Sequence, residues 1–301
     1  MIRTNEKKLA KFRLQGAIMP PYGFDWELCI DGKHRMVPSV GGINLNFKVG
    51  DLANQLVGDH LEPAVSTTME PGLESFNKLR SIRNKGYNNF SCIGNDAVLI
   101  SGRGKGKKGT VTGHHGGCEH VIIDFDSATL DKLTFDDKIL ITAHGVGLEI
   151  EGFEDVSTFS LDPRLFKKLG LAVRKGKLEV PVATTVPAAA MGSGIGDNKP
   201  FRGDYDIQTS DPATNKKHRL NELRLGDLVA IIDHDSTHGW SFRKGAVSIG
   251  VVIHGDSSIS GHGPGCQTIM TSGTGQLVPK ITPSANIGRY LKLGTYRQKR
   301  R

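Results

Sequence analysis

The sequence predicts a β-rich α+β fold, with mixed or antiparallel sheets or barrel-like halves and few short helices. Three observations predict it. Glycine makes up 38 of the 301 residues, which favours many tight turns over long helices. Apolar runs of strand length recur along the chain. Only two segments carry the apolar spacing and end signals of a helix.

The first helix is expected over 71–82. Pro71 and Gly72 open it, and Leu73, Phe76, Leu79 and Ile82 follow at intervals of three. Asn84-Lys85-Gly86 should close it. Strands are expected at 121–125 and 139–143. The second helix spans 162–170, where Asp162 caps, Pro163 takes the first helical position, Leu165 and Phe166 face inward, and Gly170 stops the run. Further strands are expected at 178–185, 228–232, 246–254 and 267–271. Residues 245–254 are apolar almost throughout, as a strand buried on both faces would be. A shift from Gly/Lys-rich to Asp/His-rich composition sets a domain boundary between 1–157 and 158–301.

With 37% hydrophobic and 23% charged residues the chain can bury a core without disulfides or a structural metal. Cys29, Cys92, Cys118 and Cys266 have no ligand spacing and read as reduced thiols of a cytoplasmic protein. No run reaches 18 apolar residues, and the N-terminus lacks the apolar core of a signal peptide, so no membrane partner is expected. The net charge of +8 concentrates in residues 1–17, 78–108 and 289–301, leaving the remainder acidic. Such basic segments suit an anionic ligand or nucleic acid, or form a solvated surface.

Histidine clustering is the strongest sign of a site. Eight of the 11 histidines fall in 114–144 and 234–262. Asp233-His234-Asp235-Ser236-Thr237-His238 follows an expected strand, His254-Gly255-Asp256 ends the next, and His262 sits in the glycine loop 261–265. Rigid sheets present functional groups at such ends. Mixed His/Asp donors suit a divalent ion such as zinc, manganese or iron. The expected ligands are His234, His238 and His254. Asp235 or Asp256 would orient or deprotonate a water, and His262 would polarise a carbonyl. The plainer reading is polar turn residues with imidazoles bonded to backbone. His144, beside a glycine turn, could join His114, His115 and His120 to close the same pocket from the first half.

Other segments carry weaker signals. Asp204 and Asp206 share one face of a strand, which suits a metal, general acid–base work or a plain acidic surface. The glycine run 191–198 is neither a Walker loop nor a dinucleotide fingerprint, and is expected to be a lid or turn. Gly58-Asp59-His60 precedes an apolar run.

Residues 95–113, with the basic glycine loop Gly102-Arg103-Gly104-Lys105-Gly106-Lys107-Lys108, resemble a KOW motif, which implies an RNA contact in that family. The motif-bearing hairpin spans 92–125. It departs from the family at Gly113-His114-His115-Gly116-Gly117-Cys118-Glu119-His120, and no aromatic residues interleave the lysines to stack bases.

The runs 243–265, 109–121 and 143–149 resemble the bacterial domain of unknown function 4438 family along nearly the whole chain. That resemblance implies a stand-alone protein and brings no established activity. A fainter resemblance to acetamidase/formamidase-type amidases rests on Gly203-Asp204-Tyr205-Asp206 and on residues 224–228, and implies hydrolysis only by analogy. The expected function is therefore metal-assisted hydrolysis of a small polar molecule, an amide or cyclic amide. The alternatives are an RNA-associated module and a metal-free small-molecule binder or scaffold subunit. A small-molecule substrate is the expected partner, nucleic acid the alternative one, and a homo-oligomer stays open.

Overall fold

Ile139, Ile141 and Ala143 are buried while their neighbours Lys138, Leu140, Thr142 and His144 are not, the period of two that packs one face of a strand inward. The computed structural model describes residues 2–21, 26–69, 82–195 and 199–298, apart from the side chains of 193–195. In the first half, six strands close into a barrel: β1 (Lys11–Ile18), β4 (Val65–Thr68), β5 (Asp96–Leu99), β6 (Lys108–His115), β7 (His120–Asp124) and β8 (Lys138–His144), in the order β1-β4-β7-β6-β5-β8. Every neighbouring pair is antiparallel. Closure removes the exposed edges that an open sheet would carry. Ile18, Val65, Leu99, Val111, Val121, Ile123 and Ile141 fill the interior. A two-stranded hairpin, β2 (Glu27–Leu28) with β3 (His34–Arg35), lies between the first two barrel strands in the chain.

The second half is a seven-stranded sheet. Its order is β12 (Thr184–Pro187), β15 (Leu228–Asp235), β16 (Ser241–Val252), β17 (Gly265–Ser272), β14 (Tyr205–Ile207) and β13 (Met191–Ile195), with β9 (Ser157–Thr158) also on β17. β10 (Ala172–Arg174), β11 (Lys177–Val182) and β18 (Leu277–Ile281) form a separate three-stranded sheet. The fold is β-rich α+β with a closed barrel and few short helices. As its composition predicts, β16 is buried from Ala246 to Val252, between β15 and β17.

Several boundaries differ from expectation. The run 178–185 divides at Ala183 because β11 pairs with β18 while β12 pairs with β15 in the other sheet. Of the expected lid or turn 191–198, residues 191–195 form β13 against β14, and 196–198 lie outside the described residues. Of the helix expected over 71–82, residues 71–81 lie outside the described residues. A helix runs from Ile82 to Phe90, through the Asn84-Lys85-Gly86 that should have ended one. Tertiary contacts override the stop signal: Asn84 is buried and accepts from the Thr68 hydroxyl (2.7 Å) and the Met69 N–H (3.0 Å). The second helix is a single turn, Pro163–Phe166, with the Asp162 carboxylate accepting from Arg164 N–H as its cap.

The two halves share a core, in which Ile122 of the barrel packs with Val251 and Ile253 of the sheet. Gly113 permits the approach, since a Cβ there would lie 2.6 Å from the Ile253 Cβ. Beside it the His114 N–H donates to Gln267 Oε1 (2.8 Å), and the Gln267 amide meets His114 Nδ1 (3.0 Å). This seam sets the end of β6 against β14 and the end of β16. Among the described residues no helix is long and apolar enough to cross a membrane.

Candidate metal centre

Alternation along β14 turns Tyr205 to one face and sends the flanking Asp204 and Asp206 to the other. Both carboxylates are buried and point at histidines from three other segments. Asp206 Oδ2 lies 3.1 Å from His60 Nε2 and 2.9 Å from His262 Nδ1, and those two nitrogens are 3.0 Å apart. Asp204 Oδ2 lies 2.8 Å from His254 Nε2, and Asp206 Oδ1 is 3.5 Å from that same nitrogen. From the barrel, His115 stacks on His254 with ring centroids 4.2 Å apart. The Gly116 N–H steadies the other oxygen of Asp204 (2.8 Å). The structure therefore brings the two histidine-rich stretches together through His115, His254 and His262, and adds His60 from outside both.

Each of three histidines has its Nδ1 held from behind. Asp59 Oδ1 lies 2.9 Å from Nδ1 of His60, Gly255 O lies 2.8 Å from Nδ1 of His254, and Glu62 Oε1 lies 2.7 Å from Nδ1 of His115. Outer carboxylates and carbonyls that fix an imidazole in this way are the usual second layer of a metal site, leaving Nε2 as the donor. Glu62 is itself saturated, accepting from Gly41 N–H (2.7 Å) and Ser66 Oγ and meeting His120 Nδ1 (3.0 Å). Among the described residues, three groups of His, Asp, Glu or Cys have donor atoms close enough to share an ion: His60–Asp206–His262, His115–Asp204–His254 and Glu62–His115–Cys118. Ligand bonds of 2.0–2.2 Å around a tetrahedral ion put donor atoms ~3.3 Å apart, close to the spacing in the first group.

The electrostatics fit the geometry. Burial pushes His60 down, but the Asp206 and Asp59 carboxylates outweigh it and hold the imidazole up at about 9. Burial also opposes charge on Asp206, yet His254, His262 and His60 together hold it well below the usual carboxylate range. A divalent cation would take the place of the proton these carboxylates hold on His60. His60 sits in the left-handed region with φ 53°, which histidine adopts more readily than most side chains. The His262 side chain is 30% exposed, against 3% for Asp206, so the group opens to solvent on the side of the 254–265 loop.

Of the expected ligands His234, His238 and His254, only His254 enters this centre. His234 lies on the far side of β14, between the Tyr205 hydroxyl (2.9 Å) and Ser248 Oγ (3.1 Å), with no carboxylate or thiol among its hydrogen-bond partners. Burial lowers it to about 4. His238 is exposed on a turn. Asp235 closes that turn, accepting from Thr237 N–H (2.9 Å) and Arg243 Nη1 (3.2 Å). Strand alternation and the bulge at Asp233 (φ 60°) direct these side chains away from β14's carboxylate face. Asp256 stands beside the centre: its carboxyl accepts from Thr209 Oγ1 (3.2 Å), and its backbone carbonyl accepts from His60 N–H. His144 lies elsewhere, on a cavity of about 490 Å³ with Lys7, Lys11, Arg164 and Lys167. The KOW-like residues form β5 and β6 of the barrel, with Arg103, Lys105, Lys107 and Lys108 exposed between or beside them.

His60, Asp59 and Glu62 are the functional candidates the sequence reading did not select. Gly58-Asp59-His60 is the one local signal, an acid beside an imidazole after a glycine.

Two family models cover the chain: domain of unknown function (DUF4438), N-terminal, over residues 26–167, and its C-terminal counterpart over 168–291. The chain belongs to the DUF4438 family. The crystal structure of TM1086 is similar to this DUF4438 chain at 41% identity and a TM-score of 0.89, over 96% of this chain and 99% of that one. A search of curated proteins gave no match. The two family models meet at 167/168, whereas composition set the boundary at 157/158.

Proposed function

We propose that this chain is a metal-dependent hydrolase of a small polar molecule, cutting a C–N bond in an amide or cyclic amide. One observation carries the reading: two imidazole nitrogens and a carboxylate oxygen converge within 3.1 Å of one another where the centre reaches solvent. His60, His262 and Asp206 are assigned as ligands of a divalent ion, with zinc, manganese and iron all suited to the donor set. Such an ion, with a coordination position left open, polarises a carbonyl and makes a water acidic near neutral pH.

The chain's own residues supply the rest. Asp59 orients His60, and the Gly263 N–H, 3.3 Å from Asp206 Oδ2, steadies the carboxylate. Asp256, which accepts from the Thr209 hydroxyl next to the centre, is assigned to take the water's proton and return it to the leaving nitrogen. The test is elemental analysis of untagged protein followed by a screen of amides and cyclic amides. We expect retained metal, with turnover falling about 100-fold or more in His60→Ala and His262→Ala. Failure to retain any of the three ions after incubation with each, or full turnover in both variants, would overturn the reading.

A further inference from the structure

We infer that the centre holds two divalent cations bridged by Asp206, the second one held by Asp204, His254 and His115. This deepens the hydrolase reading and rests on it. Asp206 divides its oxygens between two groups: Oδ2 faces His60 and His262, while Oδ1 faces His254 Nε2 at 3.5 Å. A carboxylate with one oxygen in each of two ligand groups is the form that links paired ions ~3.5–4 Å apart.

The inner group has its own signature. His254 Nε2 is buried and makes no hydrogen bond, although Asp204 Oδ2 is only 2.8 Å away. The distance would serve an N–H···O bond, but the direction does not. Two donor atoms that converge on a third body, rather than on each other, have this relation. In both rings Nδ1 is already engaged, at His254 by Gly255 O (2.8 Å) and the Gly265 N–H (3.2 Å) and at His115 by Glu62 Oε1 (2.7 Å), which leaves Nε2 for a ligand bond. Donors in this group come from both halves of the chain, His115 from β6 and Asp204 and His254 from the second half. Two ions would let one hold the attacking water while the other holds the substrate carbonyl, with no change of ligand between steps.

The test uses the full chain, stripped with a chelator and dialysed against Zn²⁺ alone, with bound metal counted by elemental analysis. The same apoprotein is loaded with Mn²⁺ for electron paramagnetic resonance. We expect two equivalents per chain and a spin-coupled Mn²⁺ pair. His254→Gln and Asp204→Asn should each reduce the count to one and abolish the coupling. A single equivalent in the unsubstituted chain overturns the second ion and leaves the hydrolase reading standing. Two equivalents that survive both substitutions overturn its assignment to these residues. No bound metal overturns both proposals. Should a variant fail to fold, as judged by circular dichroism, the count and the coupling in the unsubstituted chain still decide.

Discussion

Gly265 shows how tightly the centre is packed. A Cβ there would fall 2.0 Å from His254 Nε2 and 2.2 Å from Asp204 Oδ2, so only glycine lets β17 pass behind these two side chains. Gly265→Ala should therefore displace one of them and cut metal affinity at least about tenfold, the scale at which disturbed ligand positioning is felt. Calorimetric titration with Zn²⁺ would check this, and unchanged affinity would remove Gly265 from the argument. His234 makes a different prediction. Its folded value of about 4 lies below the ordinary 6.5 because burial opposes its charge. As pH falls through 6.5 the unfolded chain takes up this proton, while the native chain resists until about 4. Stability is therefore lost as pH falls across that window, by on the order of 3 kcal/mol if the site stays intact. In urea unfolding, His234→Gln should lose stability less steeply than the parent between pH 6.5 and 4. Identical slopes would contradict the buried neutral imidazole.

Among the secondary elements, the helix Ile82–Phe90 depends on side chains rather than on its own propensity. Asn84 and Gly86 are poor helix formers, yet the Asn84 amide joins three segments. It accepts from Thr68 at the end of β4 and from Met69 just after it, and donates to Glu119 O (3.0 Å) in the turn between β6 and β7. Asn84→Ala would leave the buried Thr68 hydroxyl and the partly buried Met69 N–H without this acceptor. We expect about 1–3 kcal/mol of destabilisation by denaturant unfolding, where an exposed Asn on a helix would show almost none. That same turn carries His115 and Gly116 into the centre, so the helix supports the site from behind. β14 works by a simpler rule: three residues of strand suffice to present Asp204 and Asp206 to one side and Tyr205 to the other.

For the whole molecule, the centre draws its side chains from two halves that are also joined by apolar packing, the His114–Gln267 pair, ion pairs such as Arg164–Asp96 and Arg297–Asp124, and backbone hydrogen bonds such as Gly50 N–H to Leu225 O. His60 and His115 precede residue 157, and Asp204, Asp206, His254 and His262 follow it. An ion held by such ligands binds only the assembled chain and stabilises it by mass action, by ~4 kcal/mol at a free concentration a thousand times its Kd. Exhaustive chelation should therefore lower Tm by several degrees, and added Zn²⁺ or Mn²⁺ should restore it. A Tm indifferent to chelator would mean that no ion bridges the halves.

The chain itself determined much of this. Glycine abundance and apolar runs of strand length announced a β-rich fold because turn freedom and strand-length apolar patterning are local properties. β7, β8, β15, β16 and β17 were legible for that reason, and β16 as a doubly buried strand. His254, His262 and Asp256 were visible at strand ends and in a glycine loop, as was the shared face of Asp204 and Asp206. What the sequence left open was which of these meet. The bulge at Asp233 turns His234 and Asp235 away from the centre, and no local pattern reports a bulge that arises in strand pairing. His60 and Glu62 lie about 200 residues from His254 and His262, and backbone hydrogen bonds such as His60 N–H to Asp256 O and Gly255 N–H to Leu61 O, together with the β6–β17 seam, bring them together. Their convergence is a product of long-range packing, because a donor set is defined by distances in space and the sequence records only distances along the chain.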